Sequence, residues 1–390
     1  MEALEALARL NNRINNLSDG IETSNSDLDL EAVNMPNVII NQGEIDQQEE
    51  ILRNEIHNNF EDDDFFYNDH EEEFRNFLDN EANGDLSYEY SNVLNGSENT
   101  FGLEIEFVSG DPNAIARDLY DMGICGYDRQ VRYHAPSINN KWKLESDVSL
   151  PSGGELVSPP LKDNPETWQN IQKVCEVAKM HGARVNSRAV GGHVHISADP
   201  LDTAKHRWNR FFKSTGSFED VIYRVSGGER GIVRSNVNHY ATSFSQTADR
   251  MLRTNFSLNN SGDLMNLTFD ASRSDRYKMI NLTNIHDINK PNTLEFRSFN
   301  SSLDPKILQN NVRIANGIVF ASEKARFGNT SESPSMKRRG LILKDQQIRR
   351  IRRPNDLSVR DFVDIAFTRK KDKDEVLKLY SRNTWFNRQE

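Results

Sequence analysis

The chain of 390 residues has few cysteines and no long apolar segments. Its two cysteines, Cys125 and Cys175, are too few for a disulfide framework, and the sequence has no Cys-x-x-Cys pair. No run approaches the ~18–20 apolar residues that a membrane-spanning helix requires. Phosphate loops of the GxxxxGK[ST] and GxGxxG types are also missing from the sequence. These absences predict a cytoplasmic protein that does not enter a membrane and does not bind phosphate through a P-loop or a Rossmann turn.

Charge is distributed unevenly along the chain. Residues 1–100 hold 25 acidic and 4 basic side chains, a net charge of −21, whereas the whole chain carries −11 and the remainder therefore +10. A high net charge with few groups to bury favours disorder. We therefore predict an acidic arm over residues 1–99, with a short amphipathic helix at its start and mostly disordered beyond it. The opposite charges predict an intramolecular contact between this arm and the basic body.

The body, from about residue 100, has the pattern of an α+β fold. Short runs with alternating apolar residues lie between longer segments with helical periodicity, without the strict βαβα order of a parallel sheet. We predict a largely antiparallel sheet with one polar face and with helices packed on the other face. The expected domain spans residues 100–330, and 331–390 form a basic, partly helical extension. The predicted helices cover residues 112–123, 164–182, 201–226, 305–327 and 357–381.

Several predicted strands carry polar side chains two residues apart. In a strand, residues i and i+2 point to the same side, so each segment would place its polar groups on one face and its apolar groups on the other. The sheet would therefore collect these groups on a single surface. The segments are FGLEIEF with Glu104 and Glu106, WKLESD with Lys143, Glu145 and Asp147, GGHVHIS with His193 and His195, and NTLEFRSF with Glu295 and Arg297.

Each pair alone has an ordinary explanation and a chemical one. Two glutamates fit a Mg²⁺ or Mn²⁺ site, but also a solvent-facing edge strand. Two histidines fit a metal or phosphate, but polar alternation produces such a pair by chance. A glutamate and an arginine fit a surface ion pair, or a metal ligand beside a phosphate clamp. On one face together they would repel strongly without cations, which favours nucleotide-dependent chemistry at two or more metal ions.

The order of these segments resembles that of the amidoligase family, which comprises carboxylate–amine ligases related to glutamine synthetase and glutamate–cysteine ligase. The similarity covers about residues 100–330. It implies a glutamine synthetase-like fold and the cofactors ATP and Mg²⁺ or Mn²⁺. The segments that carry it are G-x-E-x-E from Gly102, W-x-L-x-x-D-x-S from Trp142, E-L-V-S-P-P from Glu155, G-G-H-V-H from Gly191 and T-L-E-F-R from Thr293.

The resemblance also implies a role for each matching position. The expected metal ligands are Glu104, Glu106, Glu155, His193 and Glu295. His195 would lie near the nucleotide phosphates, and Arg297 would neutralise the transferred phosphoryl group, with Glu104 and Glu295 in the catalytic set. The residues expected on the substrate side are Asp147, Ser149, Arg234 and Asn281, with a weaker match at Tyr240. Lys143 and Glu145 fall outside the pattern and are interpreted as surface groups.

The implied reaction transfers the γ-phosphate of ATP to a carboxylate and then replaces phosphate by an amine. The substrates would be small molecules or peptides, and a homo-oligomer is an open possibility. A metal-dependent hydrolase that uses the two histidines is one alternative. The other is a non-enzymatic protein that contacts nucleic acid or a protein through the basic runs at 337–339 and 349–353. The usual alternative for such runs is a solvated face or a site for the acidic arm. We favour the arm, so nucleic acid is the less favoured partner.

Overall fold

The computed structural model describes residues 76–80, 84–150, 152–185, 190–254, 256–273, 275–285, 291–324 and 356–383. The strands are β1 (Phe101–Val108), β2 (Lys143–Glu145), β3 (Gly153–Val157), β4 (Gly192–Ser197), β5 (Ile280–Asn281) and β6 (Thr293–Phe296). The helices are α1 (Pro112–Asp121), α2 (Pro165–Met180), α3 (Lys205–Ser217), α4 (Glu219–Val225), α5 (Val237–Tyr240), α6 (Ser245–Arg253), α7 (Ser261–Ser272), α8 (Pro305–Lys324), α9 (Asp356–Ala366) and α10 (Lys370–Arg382).

The six strands form one antiparallel sheet in the order β2-β3-β1-β4-β6-β5. The long β1 lies near the middle, between β3 and β4, while the short β2 and β5 form the two edges. The α+β class and the antiparallel sheet predicted from sequence are confirmed.

Strand alternation separates the sheet into an apolar face and a polar face. Leu103, Ile105 and Phe107 of β1 are buried, with 0–1% of their surface exposed, and Glu104 and Glu106 between them point to the other side. The same division continues through the neighbouring strands. Their fully buried side chains on the apolar face are Leu144, Leu156, Val194, Ile196, Leu294 and Phe296.

Helices cover the apolar face. The long helix α8 packs against β4 and against α2 and α3. Two of the helices begin as their sequences predict, with proline in the first turn and a polar cap. The Asp111 carboxylate accepts hydrogen bonds from the first turn of α1, and the Asn164 side chain accepts one from the Thr167 N–H of α2. Trp168 of α2 stacks on Phe101 of β1, with ring centroids 5.2 Å apart, and so fixes this helix on the sheet.

Some predicted boundaries differ from the structure. The segment 141–150 was expected to be one strand, but β2 covers only three residues, and Asp147 then accepts a hydrogen bond from the Ser149 N–H in a turn. Residues 201–226 contain two helices rather than one, separated at Phe218. The predicted helix 357–381 is also two helices, separated at residues 367–369, where the buried Phe367 packs on Phe362. Helical periodicity continues across such breaks and does not reveal them.

The helix α8 also contacts segments that lie outside the central domain in sequence. Arg313 of α8 is 2% exposed and pairs with Glu89 at 3.1 Å and with Asp372 of α10 at 3.0 Å. Arg369 binds the same Asp372 and also donates to the carbonyl oxygen of Val93. We call Arg313, Glu89, Asp372 and Arg369 the Arg313 network. It ties residues 84–100 and the pair α9–α10 to one helix.

Several predictions fall on residues that the structure does not describe. The amphipathic helix at the start of the chain, most of the acidic arm and both basic runs are among them. The domain boundaries at 99 and 330 stay predictions. Among the described helices, none has the length and apolarity to cross a membrane.

Candidate metal centre

The polar face of the sheet gathers ionisable side chains from four strands. In the strand register Glu104 stands opposite His193, Glu106 opposite Glu155, and His195 opposite Glu295. Four of these side chains are almost completely buried, with 5% of the residue exposed for Glu155, His193 and Glu295 and 8% for Glu106. A buried charge is costly unless it is paired or coordinates a metal. The surface therefore requires counter-charges.

Glu104 joins the two histidines. Its Oε2 lies 2.7 Å from Nδ1 of His193, and its Oε1 lies 3.1 Å from Nε2 of His195. Burial alone would raise the pKa of Glu104, but the two histidines outweigh it and hold this pKa well below its usual range. Burial likewise lowers the pKa of His195, and Glu104 more than reverses that effect, so the pKa of His195 is raised. Glu104 is thus a carboxylate, and His195 readily takes up a proton beside it.

Glu155 behaves in the opposite way. Burial raises its pKa well above the usual range, and the neighbouring carboxylates of Glu104, Glu106 and Asp147 raise it further. Glu106 accepts a hydrogen bond of 2.5 Å from the Gly191 N–H. The part of the surface around Glu155 consequently has an excess of negative charge that a cation would relieve.

Glu295 and Arg297 form the cationic side of the surface. The Arg297 guanidinium pairs directly with Oε1 of Glu295, and the Asn281 side chain donates to Oε2 at 2.7 Å. Burial would raise the pKa of Glu295, but the charge of Arg297 lowers it below the usual value. Arg297 also donates from Nε to the carbonyl oxygen of Tyr240 at 3.1 Å. These contacts fix the guanidinium beside the carboxylate.

Arg234 lies buried directly behind this pair. Its guanidinium donates to the carbonyl oxygen of Arg297 at 2.7 Å, and burial lowers its pKa to about 10. Gly191 provides the space, because a Cβ at this position would lie 2.1 Å from the Arg234 guanidinium. At Gly191 the protein's own arginine occupies that space.

The remaining predicted substrate residues lie in different environments. Ser149 is exposed, and Asp147 is partly buried beside Glu106 and Glu155. Asn281 is buried and turned to Glu295, and Arg234 is turned to Arg297, so the structure gives both of them protein partners. Substrate contact stays a prediction for these four residues.

The interpretation of Lys143 and Glu145 as surface groups is wrong. Glu145 is 2% exposed and stands opposite Glu155 in the register of β2 and β3. Its Oε1 pairs with the Lys143 ammonium at 2.6 Å, and its Oε2 accepts from the His134 N–H at 3.1 Å. The pair looked like a surface pair in sequence because nothing local shows that residues 126–141 fold over it.

The donors on this face fit metal ions. Three sets of side chains each offer ligand atoms within 4.8 Å of one another: Glu104, Glu155 and His193; Glu104, His195 and Glu295; and Glu106, Asp147 and Glu155. Glu104 and Glu155 each belong to two sets, so neighbouring ions could share a carboxylate. Oxygen-rich sets with at most one imidazole suit Mg²⁺ or Mn²⁺. His195 and Asp147 stand among these donors, although the sequence predicted other roles for them.

Sequence reasoning missed three residues at the mouth of the site. The rings of Tyr133 and Tyr277 are about 40% exposed, at 41% and 40% respectively. The Arg276 guanidinium lies 5.3 Å from the Tyr277 ring centroid, and that of Arg297 lies 5.9 Å from the same centroid. These residues belong to loops without a recognisable motif, and no sequence signal identifies them.

The fold and this surface define an α+β protein with a candidate metal centre on the polar face of an antiparallel sheet. Residues 97–319 match the model of the family described as "Putative amidoligase enzyme". The match covers more than half of the chain, and the protein belongs to this family. Among curated proteins, none matches the sequence. The family recognised from the sequence segments is therefore confirmed.

Proposed function

We propose that the protein is an ATP-dependent carboxylate–amine ligase that forms an amide bond through an acyl phosphate. The observation that carries the proposal is the buried set of carboxylates and histidines with Arg297 at its side. Membership of the amidoligase family supports the same reaction class. The substrates would be a small-molecule or peptide carboxylate and an amine, and the two buried thiols fit a reducing cytoplasm.

Five side chains would hold Mg²⁺ or Mn²⁺ in this proposal. When bound, the ions would neutralise charge on the phosphates of ATP and on the phosphoryl group during transfer. Four of the five ligands are almost completely buried and the fifth is partly buried, so contacts with the protein hold them in place before the substrates arrive. The proposed ligands are Glu104, Glu106, Glu155, His193 and Glu295.

Arg297 would bind the oxygens of the transferred phosphoryl group. Its guanidinium is held between Glu295 and the Tyr240 carbonyl oxygen, so little reorganisation is needed when the phosphate arrives. His195 would add positive charge near the phosphates, since its raised pKa favours the imidazolium form. A planar, bidentate donor and an imidazolium on one face match the several oxygens of a phosphate.

The proposed reaction has two steps. First, a carboxylate oxygen of the substrate forms a bond to the γ-phosphorus, and the bond to the bridging oxygen breaks to release ADP. Then the amine nitrogen bonds to the acyl carbon, the bond to the phosphate oxygen breaks, and the nitrogen loses a proton. Positioning and charge neutralisation supply most of the acceleration in such transfers. Asp147 and Ser149, at the anionic end of the surface, would contact the substrates.

The proposal is tested with the full chain, ATP, Mg²⁺ and pools of amino acids and peptides. We expect phosphate release that depends on a carboxylate and an amine, and transfer of ¹⁸O from a labelled carboxylate to phosphate. Glu104→Gln should abolish both signals. Glu176→Gln is the matched control, because Glu176 is exposed on α2, which packs on the apolar face of the sheet.

Two results would contradict this function. Failure of the protein to bind ATP at millimolar Mg²⁺ would rule out the phosphoryl-transfer step. Substrate hydrolysis that needs Zn²⁺ or Mn²⁺ but no nucleotide would instead support a metal-dependent hydrolase, which would use the same histidines and carboxylates.

A further inference from the structure

A loop and a turn from opposite edges of the sheet meet over the polar face. Tyr133 belongs to residues 126–141, which precede the edge strand β2 and pair with it at Val131 and Glu145. Arg276 precedes β5, the strand at the other edge. The order of the six strands thus places these two residues at the two ends of the sheet, with the metal-type donors between them.

The charged groups that act on Tyr133 and Arg276 include carboxylates of the site. Burial raises the pKa of the Tyr133 hydroxyl, and the carboxylates of Glu155 and Glu104 raise it further, whereas Arg276 opposes the shift through a side-chain hydrogen bond. Burial lowers the pKa of the Arg276 guanidinium, but Tyr133, Tyr277 and Glu295 outweigh this effect, so the pKa is raised. The hydroxyl and the guanidinium therefore span the mouth between the anionic and the cationic ends.

The two arginines beside Tyr277 differ in their partners. The guanidinium of Arg297 is paired with the Glu295 carboxylate and is 8% exposed as a residue. Arg276 is exposed, and in the described part of the chain no carboxylate lies within 4.0 Å of its guanidinium. Its polar contact is the neutral hydroxyl of Tyr133. A guanidinium whose polar contact is a neutral phenol hydroxyl, and not a carboxylate, retains most of its capacity to bind an anion.

We propose that Arg276 is an oxyanion-binding residue at the mouth of the site, and that the Tyr133 hydroxyl occupies it until an anionic ligand arrives. This inference rests on the proposed function for the source of the ligand. The group bound is a phosphate of the nucleotide or a non-reacting carboxylate of the substrate. When this group binds Arg276, it displaces the Tyr133 hydroxyl from the guanidinium. The contact between the loop before β2 and the turn before β5 is then broken.

The Tyr277 ring supports this role sterically. It lies beside both guanidinium groups, 5.3 Å from Arg276 and 5.9 Å from Arg297. Tyr240 packs edge-on against it with ring centroids 5.7 Å apart. The ring therefore lies within cation–π distance of both guanidinium groups. A ligand with two anionic groups, such as a polyphosphate or a dicarboxylate, could then reach both.

The test measures binding directly and does not require turnover. Inorganic tripolyphosphate and glutarate, each with Mg²⁺, are titrated into the full chain and into Arg276→Ala by calorimetry. We expect Arg276→Ala to weaken at least one probe by about 10–100-fold, the loss that follows from removing one charge-assisted hydrogen bond. A loss with tripolyphosphate alone identifies the nucleotide as the source, and a loss with glutarate alone identifies the substrate.

Three further variants make the result specific. Arg276→Lys should restore part of the affinity, and Arg253→Ala, which removes an exposed arginine paired with Asp249, should leave it unchanged. Tyr133→Phe should bind the same probe at least as tightly as the unaltered protein, because the competing hydroxyl is gone.

The proposal is overturned if the unaltered protein binds neither probe, or if Arg276→Ala binds both as the unaltered protein does. Weaker binding by Tyr133→Phe would overturn the competition between the hydroxyl and the ligand. The titrations measure binding and do not depend on turnover, so they can be interpreted even if the ligase assay shows no activity. A failure of the proposed reaction and a failure of this site therefore give different results.

Discussion

Glu106 and Glu155 stand opposite each other on β1 and β3, and with Asp147 they offer ligand atoms within 4.8 Å of one another. Two buried carboxylates at this distance cannot both ionise without cost. Burial and its acidic neighbours raise the pKa of Glu155 accordingly. Metal binding and protonation should therefore compete at this position.

The first prediction concerns Glu155→Gln and the pH dependence of stability without metal. A carboxyl group whose pKa is higher in the folded than in the unfolded state contributes stability at low pH, and that contribution is lost as the pH rises towards the folded pKa. The unaltered protein should therefore lose stability relative to Glu155→Gln between pH 5 and pH 8. At pH 8 we expect the variant to melt higher by roughly 2–4 °C, the shift that about 1 kcal/mol produces in domains of 150–250 residues.

Thermal melts with and without Mg²⁺ provide the measurement. Mg²⁺ should raise the melting temperature of the unaltered protein more at pH 8 than at pH 5, and should raise that of Glu155→Gln less. Glu176→Gln should follow the unaltered protein at every pH. Equal responses to Mg²⁺ in the Glu155 variant and the unaltered protein would show that Glu155 does not hold the metal.

The second prediction concerns Arg297→Lys. Lysine keeps the charge beside Glu295 but loses the planar fork and the contact with the Tyr240 carbonyl oxygen. We expect kcat to fall by roughly 10²–10³-fold, the usual effect of removing one donor to developing charge. Steady-state assays in the ligase reaction measure this, with Arg253→Lys as the control. A tenfold rise in KM with kcat unchanged would assign Arg297 to ground-state binding.

The third prediction concerns stability at the Arg313 network. Arg313→Met would leave the buried Asp372 with Arg369 as its remaining described ionic partner. We expect a loss of about 3 kcal/mol in the free energy of unfolding, at the low end for a broken buried pair. Urea unfolding checks this value. Lys324→Met, at an exposed pair on the same helix, should change it by no more than about 0.5 kcal/mol.

The fourth prediction concerns thiol reactivity. Burial raises the pKa of Cys125 to about 12 and raises that of Cys175 as well, so at pH 8 only about one Cys125 in 10⁴ is a thiolate. Ellman's reagent should find no reactive thiol in the native protein and two after denaturation. Val148→Cys provides the positive control, because Val148 is 99% exposed. Rapid native reaction of either cysteine would contradict its burial.

Strand alternation is a local property, and it placed Glu104, Glu106, His193 and Glu295 on one face from sequence alone. Cross-strand register is not local. Glu145 falls outside the family pattern and was therefore interpreted as a surface group. Nothing near it in sequence shows that it would stand opposite Glu155. The positions of Arg234 and Arg276 depend on how long loops return to the sheet. Their contacts arise only after the chain has folded, and no spacing rule contains them.

The Arg313 network has a consequence for biosynthesis. The segment 84–100 leaves the ribosome early, whereas α9 and α10 emerge after the whole sheet, yet both pack on α8. The side of α8 that packs against α9 and α10 therefore stays uncovered until the chain has been made as far as α10. A nascent chain that stalls before residue 356 would display this side of α8 to chaperones and proteases, and the domain should complete its folding only after α10 has been made.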